Sequence, residues 1–281
     1  MEDKEQDAID EDEISGTAVP RQRSNSGALA GGKRNAFSEL MARNPAHHSI
    51  PSRPSNPGSD VFLGRAGLGA YIKDPTSFPR ERVISHNERW VVINDLYPKS
   101  SVHVLLLSRD GSRNKLHPFD ALADPTFLAE VQGEVKKLRG LVATELRRRY
   151  GQFSAQEQAR EKAMESDSPP NVLPTGRDWG KDVMSGIHAH PSMSHLHVHI
   201  LGVDRVSECM RKKKHYNSFA TPFLIDVDDF PLSLDDPRRH PGRQGYLDAE
   251  LKCWRCGKGF GSRFGRLKQH LEEEFEAWKR E

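Results

Sequence analysis

Three histidines alternate with apolar residues in Ser194-His195-Leu196-His197-Val198-His199-Ile200-Leu201. A period-two alternation with Leu, Val and Ile predicts a β-strand, in which every second side chain shares a face. At roughly 3.3 Å per residue, His195, His197 and His199 would stand about 6.5–7 Å apart along one face. Leu196, Val198 and Ile200 would bury the other. Folding alone does not ask for three imidazoles there, because Thr, Lys or Glu would make an equally good polar face. The residue types allow three chemistries: a metal ligand set, a pH-sensitive surface, or nucleophilic and acid–base work on a phosphate. His188-Ala-His190-Pro191-Ser192-Met193-Ser194 brings two more histidines and two hydroxyls to the same approach. That much hydrogen-bonding capacity suits a phosphoryl group.

The run His195-Leu-His-Val-His-Ile-Leu resembles the His-φ-His-φ-His-φ-φ signature of the histidine triad (HIT) family of nucleotide hydrolases and transferases. Around it, His188 to His199, then Cys209-Met-Arg-Lys-Lys-Lys-His215-Tyr-Asn-Ser-Phe219, resembles the fungal-type aprataxin branch, which removes AMP from abortive DNA-ligation ends. Upstream, Trp90-Val-Val-Ile-Asn-Asp95-Leu-Tyr-Pro98-Lys99 and His103-Val-Leu-Leu-Leu are similar to that branch's ribose-binding strand and turn. The resemblance covers roughly residues 60–281.

The resemblance implies His197 as nucleophile. A neutral imidazole nitrogen can attack the α-phosphorus of an adenylate and form a covalent nucleotidyl-histidine that water later hydrolyses. His195 and His199 would flank it, fix its tautomer and meet phosphate oxygens, with no metal needed at the triad. His188 would protonate the departing 5′-phosphate of DNA. Asp95 would accept the ribose hydroxyls; read without the resemblance it is only a turn former. Ser192 would contact the phosphate, with Ser194 a second hydroxyl nearby and a turn residue after Pro191 the plain alternative. His103 would sit near the phosphate. Of the basic run, Lys213, Lys214 and His215 would contact DNA phosphates, Lys214 foremost; a solvated loop is the plain alternative.

Further along, Cys253-Trp-Arg-Cys256, thirteen residues, His270, three residues and Glu274 has the spacing of a small zinc finger. Leu267 to Trp278 has a helical pattern, so Glu274 stands one turn from His270 on the same face. No histidine follows His270, and carboxylate is an acceptable zinc ligand. The fungal-type members resemble this two-cysteine, histidine, glutamate set; Glu273 is the alternative fourth ligand. One structural Zn²⁺ per chain is the expectation. Between Arg238 and His270 nine Lys or Arg face two acidic residues, an electrostatic footprint for a phosphate backbone.

The elements that must position these groups are legible from periodicity and breakers. Asp60 to Lys73 reads as a short helix capped by Asp60 and stopped before Pro75. Strands are predicted near Val83–Ser85, Trp90–Asn94 and Val102–Ser108, and the histidine strand closes the sheet. Pro125 to Tyr150 reads as a helix with Phe127, Leu128, Val131, Val135, Leu138, Leu141, Val142 and Leu146 on its apolar stripe. Residues 151–180 read as a polar insertion loop, and Pro231 to Gly245 as a linker. The fold class is α+β, an antiparallel sheet with packed helices followed by a small zinc-finger domain. The expected division is a disordered arm over 1–59, a histidine triad domain over 60–232, and linker plus finger over 233–281. Such a division predicts that removing the finger spares chemistry on a small adenylate.

Composition fits this picture. The chain of 281 residues carries a net charge of +2, and only 35% of it is hydrophobic, with a mean hydropathy of −0.73. The first 59 residues cannot bury enough apolar area to offset ordering. They are too few and too polar for the phosphopeptide-binding domain that precedes the triad domain in animal members of the branch. No apolar run approaches the roughly 18 residues of a membrane span, and nothing at the start suggests secretion. Three cysteines, two of them in Cys-x-x-Cys, fit a reducing compartment and a metal.

The function so implied is hydrolysis of 5′-adenylated DNA in the nucleus, with DNA as partner and AMP as product. Two alternatives stand beside it. One is a hydrolase of dinucleoside polyphosphates or nucleoside phosphoramidates, against which the finger and basic run speak. The other is a DNA-end-binding module with a vestigial triad, against which the complete histidine set speaks.

Overall fold

The computed structural model describes residues 64–281. The expected arm over 1–59 and the Asp60 cap lie outside the described residues. The chain opens on the short helix α1 (Gly69–Lys73), which stops before Pro75 as predicted. A three-stranded antiparallel meander follows: β1 (Val83–His86), β2 (Trp90–Asn94) and β3 (His103–Ser108). After α2 (Pro118–Ala121) comes α3 (Pro125–Tyr150), with the predicted boundaries. Its start has a local cause: Pro125 occupies the first turn, and the Asp124 carboxylate accepts from the Phe127 N–H at 2.8 Å.

The insertion expected to be a loop holds a helix, α4 (Ala155–Met164). Ser154 caps it, accepting from the Glu157 N–H. Ser154-Ala-Gln-Glu157 is a capping-box sequence that its polar surroundings hid. The Glu157 carboxylate does not close the box. It is buried and accepts instead from the Trp179 indole (3.0 Å) and Arg147 (2.9 Å), fastening α4 to the end of α3.

Next come β4 (Val183–His188), β5 (His197–Gly202), α5 (Lys213–Ala220) and β6 (Leu224–Ile225). The six strands run β1-β2-β3-β5-β4-β6, every neighbouring pair antiparallel. The histidine strand therefore does not close the sheet; it lies inside it, between β3 and β4. At Gly186 the backbone of β6 comes so near that an added Cβ would sit 2.6 Å from the Ile225 carbonyl. Val198 and Ile200 of β5 pack with the α3 stripe on one side of the sheet. Leu105 and Leu107, the partners of His199 and His197, line the other side with Tyr71 of α1. Leu141 departs from the predicted stripe. It is 43% exposed on the flank of α3, because Leu138 and Val142 already fill the line facing the sheet.

The stretch expected as a linker is folded. Leu232 is buried in the main core, α6 (Pro241–Gln244) follows a turn, and Arg239 lies over the Phe119 ring. The C-terminal unit is the hairpin β7 (Leu251–Lys252) and β8 (Gly259–Gly261) with helix α7 (Phe264–Lys279). It is not a tethered module. Leu251, Phe260, Leu267 and Leu271 form one cluster with Met210 and Tyr216 of the preceding part. Trp278, 1% exposed, belongs to the main core, and its indole donates to Asp182 at 2.7 Å. The Arg177 guanidinium lies over the Trp179 and Trp278 rings and donates to the Trp278 carbonyl. The end of α7 also meets α4, where the Ala155 N–H donates to the Arg280 carbonyl. Among the described residues no helix is long and apolar enough to cross a membrane.

Candidate active site

The site lies on the face of β5 opposite α3. Only His197 and His199 belong to the strand; His195 precedes it, so the three histidines do not form the evenly spaced row that the alternation predicts. The reason is local. The approach is clamped from outside the sheet: the Ser194 N–H donates to the Arg65 carbonyl, the Arg65 side chain donates to the Ser192 carbonyl, and the Leu196 N–H donates to the Asn114 carbonyl. His195 turns towards α1, where Gly69 leaves room for its ring; a Cβ there would meet it at 2.8 Å.

Backbone groups fix the tautomers. His197 Nδ1 is 2.7 Å from the His195 carbonyl, which can only accept, so Nδ1 carries the proton and Nε2 keeps its lone pair. Burial lowers the His197 pKa, which keeps the ring neutral at pH 7. The Lys99 N–H donates to His103 Nδ1 at 3.1 Å, so His103 is protonated on Nε2 and donates to His199 Nδ1 at 3.0 Å. His199 then holds its own proton on Nε2. The His197 and His199 rings are 4.9 Å apart at 78°.

His188, at the end of β4, lies with its ring tilted 4.5 Å from that of His199 and 5.2 Å from that of Phe223. Its Nε2, like that of His199, is buried with no partner among the described residues. Two buried imidazole nitrogens without partners, on rings in contact, are costly unless a ligand meets them. Asp95 lies at the turn after β2, its carboxylate 3.3 Å from His103 Nδ1 and accepting from the Tyr97 N–H. Desolvation outweighs this carboxylate and pushes the His103 pKa down to about 4. His188 and His199 are held well below the ordinary histidine value, by burial first and then by neighbouring histidines and Lys99. Burial also lowers His195, with Lys115 adding to it. Ser192 is buried in the clamped approach.

These neutral buried histidines have a cost in acid. The unfolded chain takes up protons near pH 6.5 that the folded chain refuses, so stability is full above pH 6.5 and falls as the pH drops towards 4. His103 alone would contribute on the order of 3 kcal/mol to that loss. Urea unfolding from pH 7 to 4.5, with zinc in excess, checks this; a flat stability profile would contradict the neutral cluster.

Of the basic run, Lys213 and Lys214 begin α5, and Lys213 Nζ donates to the Asp248 carbonyl at 2.8 Å. His215 requires a correction. It is 1% exposed, its Nδ1 accepts from the Arg211 N–H, and burial with Lys99 and Lys212 nearby pushes it to about 4. A side chain so placed offers no surface to a DNA strand. The residue that sequence reasoning passed over is Lys99. Buried next to His103, it donates from Nζ to the Tyr97 carbonyl, and burial lowers its pKa. Its one signal was its place directly after Pro98 in the Asp95 turn.

Cys253, Cys256, His270 and Glu274 offer ligand atoms that all lie within 4.8 Å of one another. His270 Nε2 is 3.1 Å from Cys256 Sγ and 3.2 Å from Glu274 Oε1. Glu273 is at the other ring nitrogen and 71% exposed, so Glu274 faces the cluster. Arg255 holds the second oxygen of Glu274 and also pairs with Glu281. Two sulfurs, one nitrogen and one oxygen, with an outer cation orienting the carboxylate, fit a tetrahedral zinc ion.

Comparison with known proteins matches residues 79–206 to the HIT domain model and residues 220–277 to the C2HE / C2H2 / C2HC zinc-binding finger. An aprataxin-like protein of Schizosaccharomyces pombe is 32% identical over 250 residues, covering 86% of this chain and 94% of that protein. The chain belongs to the aprataxin family. Another aprataxin-like protein, from Saccharomyces cerevisiae, is 31% identical over 75% of this chain and 95% of its own length. The solved aprataxin ortholog Hnt3 from Schizosaccharomyces pombe superposes with a TM-score of 0.60 at 30% identity, over 75% of this chain and 92% of that one. Hnt3 in complex with DNA superposes with a TM-score of 0.59. The fold is thus a HIT domain of antiparallel sheet and packed helices, continued by the aprataxin zinc finger.

Proposed function

We propose that this protein hydrolyses 5′-adenylated DNA ends, releasing AMP and restoring a 5′-phosphate for ligation in nuclear DNA single-strand break repair. The observation that carries the reading is the hydrogen bond from His197 Nδ1 to the His195 carbonyl, which leaves a neutral imidazole with Nε2 free to attack. Nε2 forms a bond to the adenylate α-phosphorus as the bond to the DNA phosphate oxygen breaks. The Nδ1–H bond to the carbonyl then supports the positive charge on the ring. His188 gives a proton to the departing phosphate, the negative charge of the substrate having raised its proton affinity. His188 next accepts a proton from the water that cleaves the phosphorus–nitrogen bond, so AMP leaves and both rings are restored. His195 and His199 meet the non-bridging oxygens, Ser192 contacts the phosphate, His103 holds His199 in its tautomer, and Asp95 receives the ribose hydroxyls. Lys213 and Lys214, at the start of α5, and the basic finger surface take the DNA backbone.

The Cys253, Cys256, His270 and Glu274 set would hold one structural zinc ion, which supplies folding energy to the C-terminal unit and takes no part in the chemistry. Elemental analysis of the pure protein is expected to give about one zinc per chain. A Cys253→Ser/Cys256→Ser variant should lose it. Two zinc ions, the second lost on replacing His195 and His199, would contradict the metal-free triad and make the site a zinc hydrolase.

The substrate assignment is tested by comparing kcat/KM on 5′-adenylated nicked DNA and on a diadenosine polyphosphate. Preference for the nicked DNA is expected; equal or better turnover of the small molecule would favour a nucleotide-scavenging hydrolase.

A further inference from the structure

One ring touches three of the buried histidines. Phe219, in the last turn of α5, has its centroid 4.8 Å from His188, 5.1 Å from His199 and 5.5 Å from His103. It meets His199 and His103 nearly perpendicular, at 88° and 86°. The backbone of Ser218, one residue earlier, hydrogen-bonds His188. His197 and His103 are oriented by main-chain groups of their own neighbourhood, whereas the Nε2 atoms of His188 and His199 meet no group among the described residues. His199 is held at Nδ1 by His103 and His188 by the Ser218 backbone, and the rest of what fixes their ring planes is packing, to which α5 contributes Phe219 on both rings.

α5 is itself held from the far side, by the zinc-binding unit. The Tyr216 hydroxyl donates to the Lys252 carbonyl at 2.7 Å, and the Asn217 amide donates to the carbonyls of Leu247 (3.0 Å) and Ala249 (2.9 Å). Arg205, buried at a positive φ of 50°, donates to the Phe219 carbonyl at 3.0 Å and lies over the Tyr216 and Trp254 rings at 5.8 and 6.0 Å. Trp254 follows the first cysteine of the Cys-x-x-Cys pair. A continuous set of contacts thus runs from the metal-binding hairpin through α5 to the histidines.

We propose that α5 positions the catalytic cluster, with Phe219 fixing the ring planes of His188 and His199 and the zinc-binding unit holding α5 in place. This rests on the reading of those histidines as the adenylate-hydrolysing site. Without the Phe219 ring, water reaches the cluster, the rings turn more freely, and protons bind them more readily. The charged and titratable groups facing them are otherwise unchanged: Asp95 and Lys99 from the turn between β2 and β3, His103 of β3 and His197 of β5.

The test uses the full zinc-loaded chain with Phe219→Ala, with Phe219→Leu as the variant that keeps apolar volume without a flat ring, and with Asn217→Ala, which cuts the tie to the C-terminal unit away from the histidines. Single-turnover hydrolysis of 5′-adenylated nicked DNA is expected to slow roughly 10- to 100-fold in the Phe219 variants, with KM within about threefold of the parent, because misplacement and not binding is affected. NMR titration of the imidazoles should show His188 and His199 taking up protons at higher pH than in the parent, and Asn217→Ala should move them in the same direction by less. Folded Phe219→Leu with the parental rate and parental titrations overturns the proposal. Unmoved titrations in folded Asn217→Ala overturn its zinc-unit half. Should the parent fail to act on adenylated DNA, the functional reading falls, while the titrations still decide whether α5 positions the cluster.

Discussion

Replacing His197 by Ala is expected to lower AMP release from adenylated DNA by at least about 10⁴-fold while leaving DNA affinity nearly unchanged. The substitution removes the imidazole of the central strand whose Nε2 lone pair is set free by a main-chain acceptor at Nδ1, the His195 carbonyl at 2.7 Å. It removes little binding surface, because the ring is buried at the centre of the sheet. His199 cannot replace it: its Nδ1 is engaged by His103 Nε2, and its other nitrogen carries the proton. Single-turnover rates and equilibrium binding to nicked DNA separate the two effects. Substantial residual turnover would assign the nucleophile elsewhere.

Ending the chain before Leu247 is expected to abolish hydrolysis of small adenylates and adenylated DNA alike, contrary to what the spacing of the motifs suggests. Truncation takes away the carbonyls that hold Tyr216 and Asn217, and it pulls Trp278 out of the main core. Losing that indole alone, as in Trp278→Ala, should cost about 3–5 kcal/mol, the usual penalty for emptying a large aromatic site. A domain stable by some 5–15 kcal/mol does not tolerate this together with the loss of the Trp278 carbonyl and indole as partners of Arg177 and Asp182, which then keep only each other. Thermal unfolding of the point variant and turnover of a small adenylate by the truncated chain check the two parts. Full small-substrate activity in the truncated chain would show the C-terminal unit to be separable.

That contrast shows where the sequence is legible. Local codes carry through: α3 starts at Pro125, the boundary its periodicity predicts, and Val198 and Ile200 face the helix while His197 and His199 face away. The Cys-x-x-Cys with His270 and Glu274 closes into a four-donor cluster because hairpin and helix spacing determine it nearly alone. What the sequence hides depends on long-range packing. His195 leaves the strand because Arg65 and Asn114, distant in sequence, hold the residues around it. The polar stretch around α4 looks unstructured until Trp179, Trp278 and Arg177 give its buried Glu157 and Asp182 their partners. Pro231 to Gly245 has a linker's composition, yet Leu232 and Arg239 bind it to the main core. His215 sits in a basic run whose charge pattern says surface, while the helix it belongs to turns it inward.

The central claim is a covalent nucleotidyl-histidine on His197. Its most direct measurement is denaturing quench of the protein reacting with DNA labelled in the 5′-adenylate, followed by mass spectrometry of the labelled peptide. The account predicts label on His197, lost in acid and kept in alkali as a phosphoramidate should be, and absent from His197→Ala. An acid-stable adduct on a serine such as Ser192, or on any residue but His197, would contradict it.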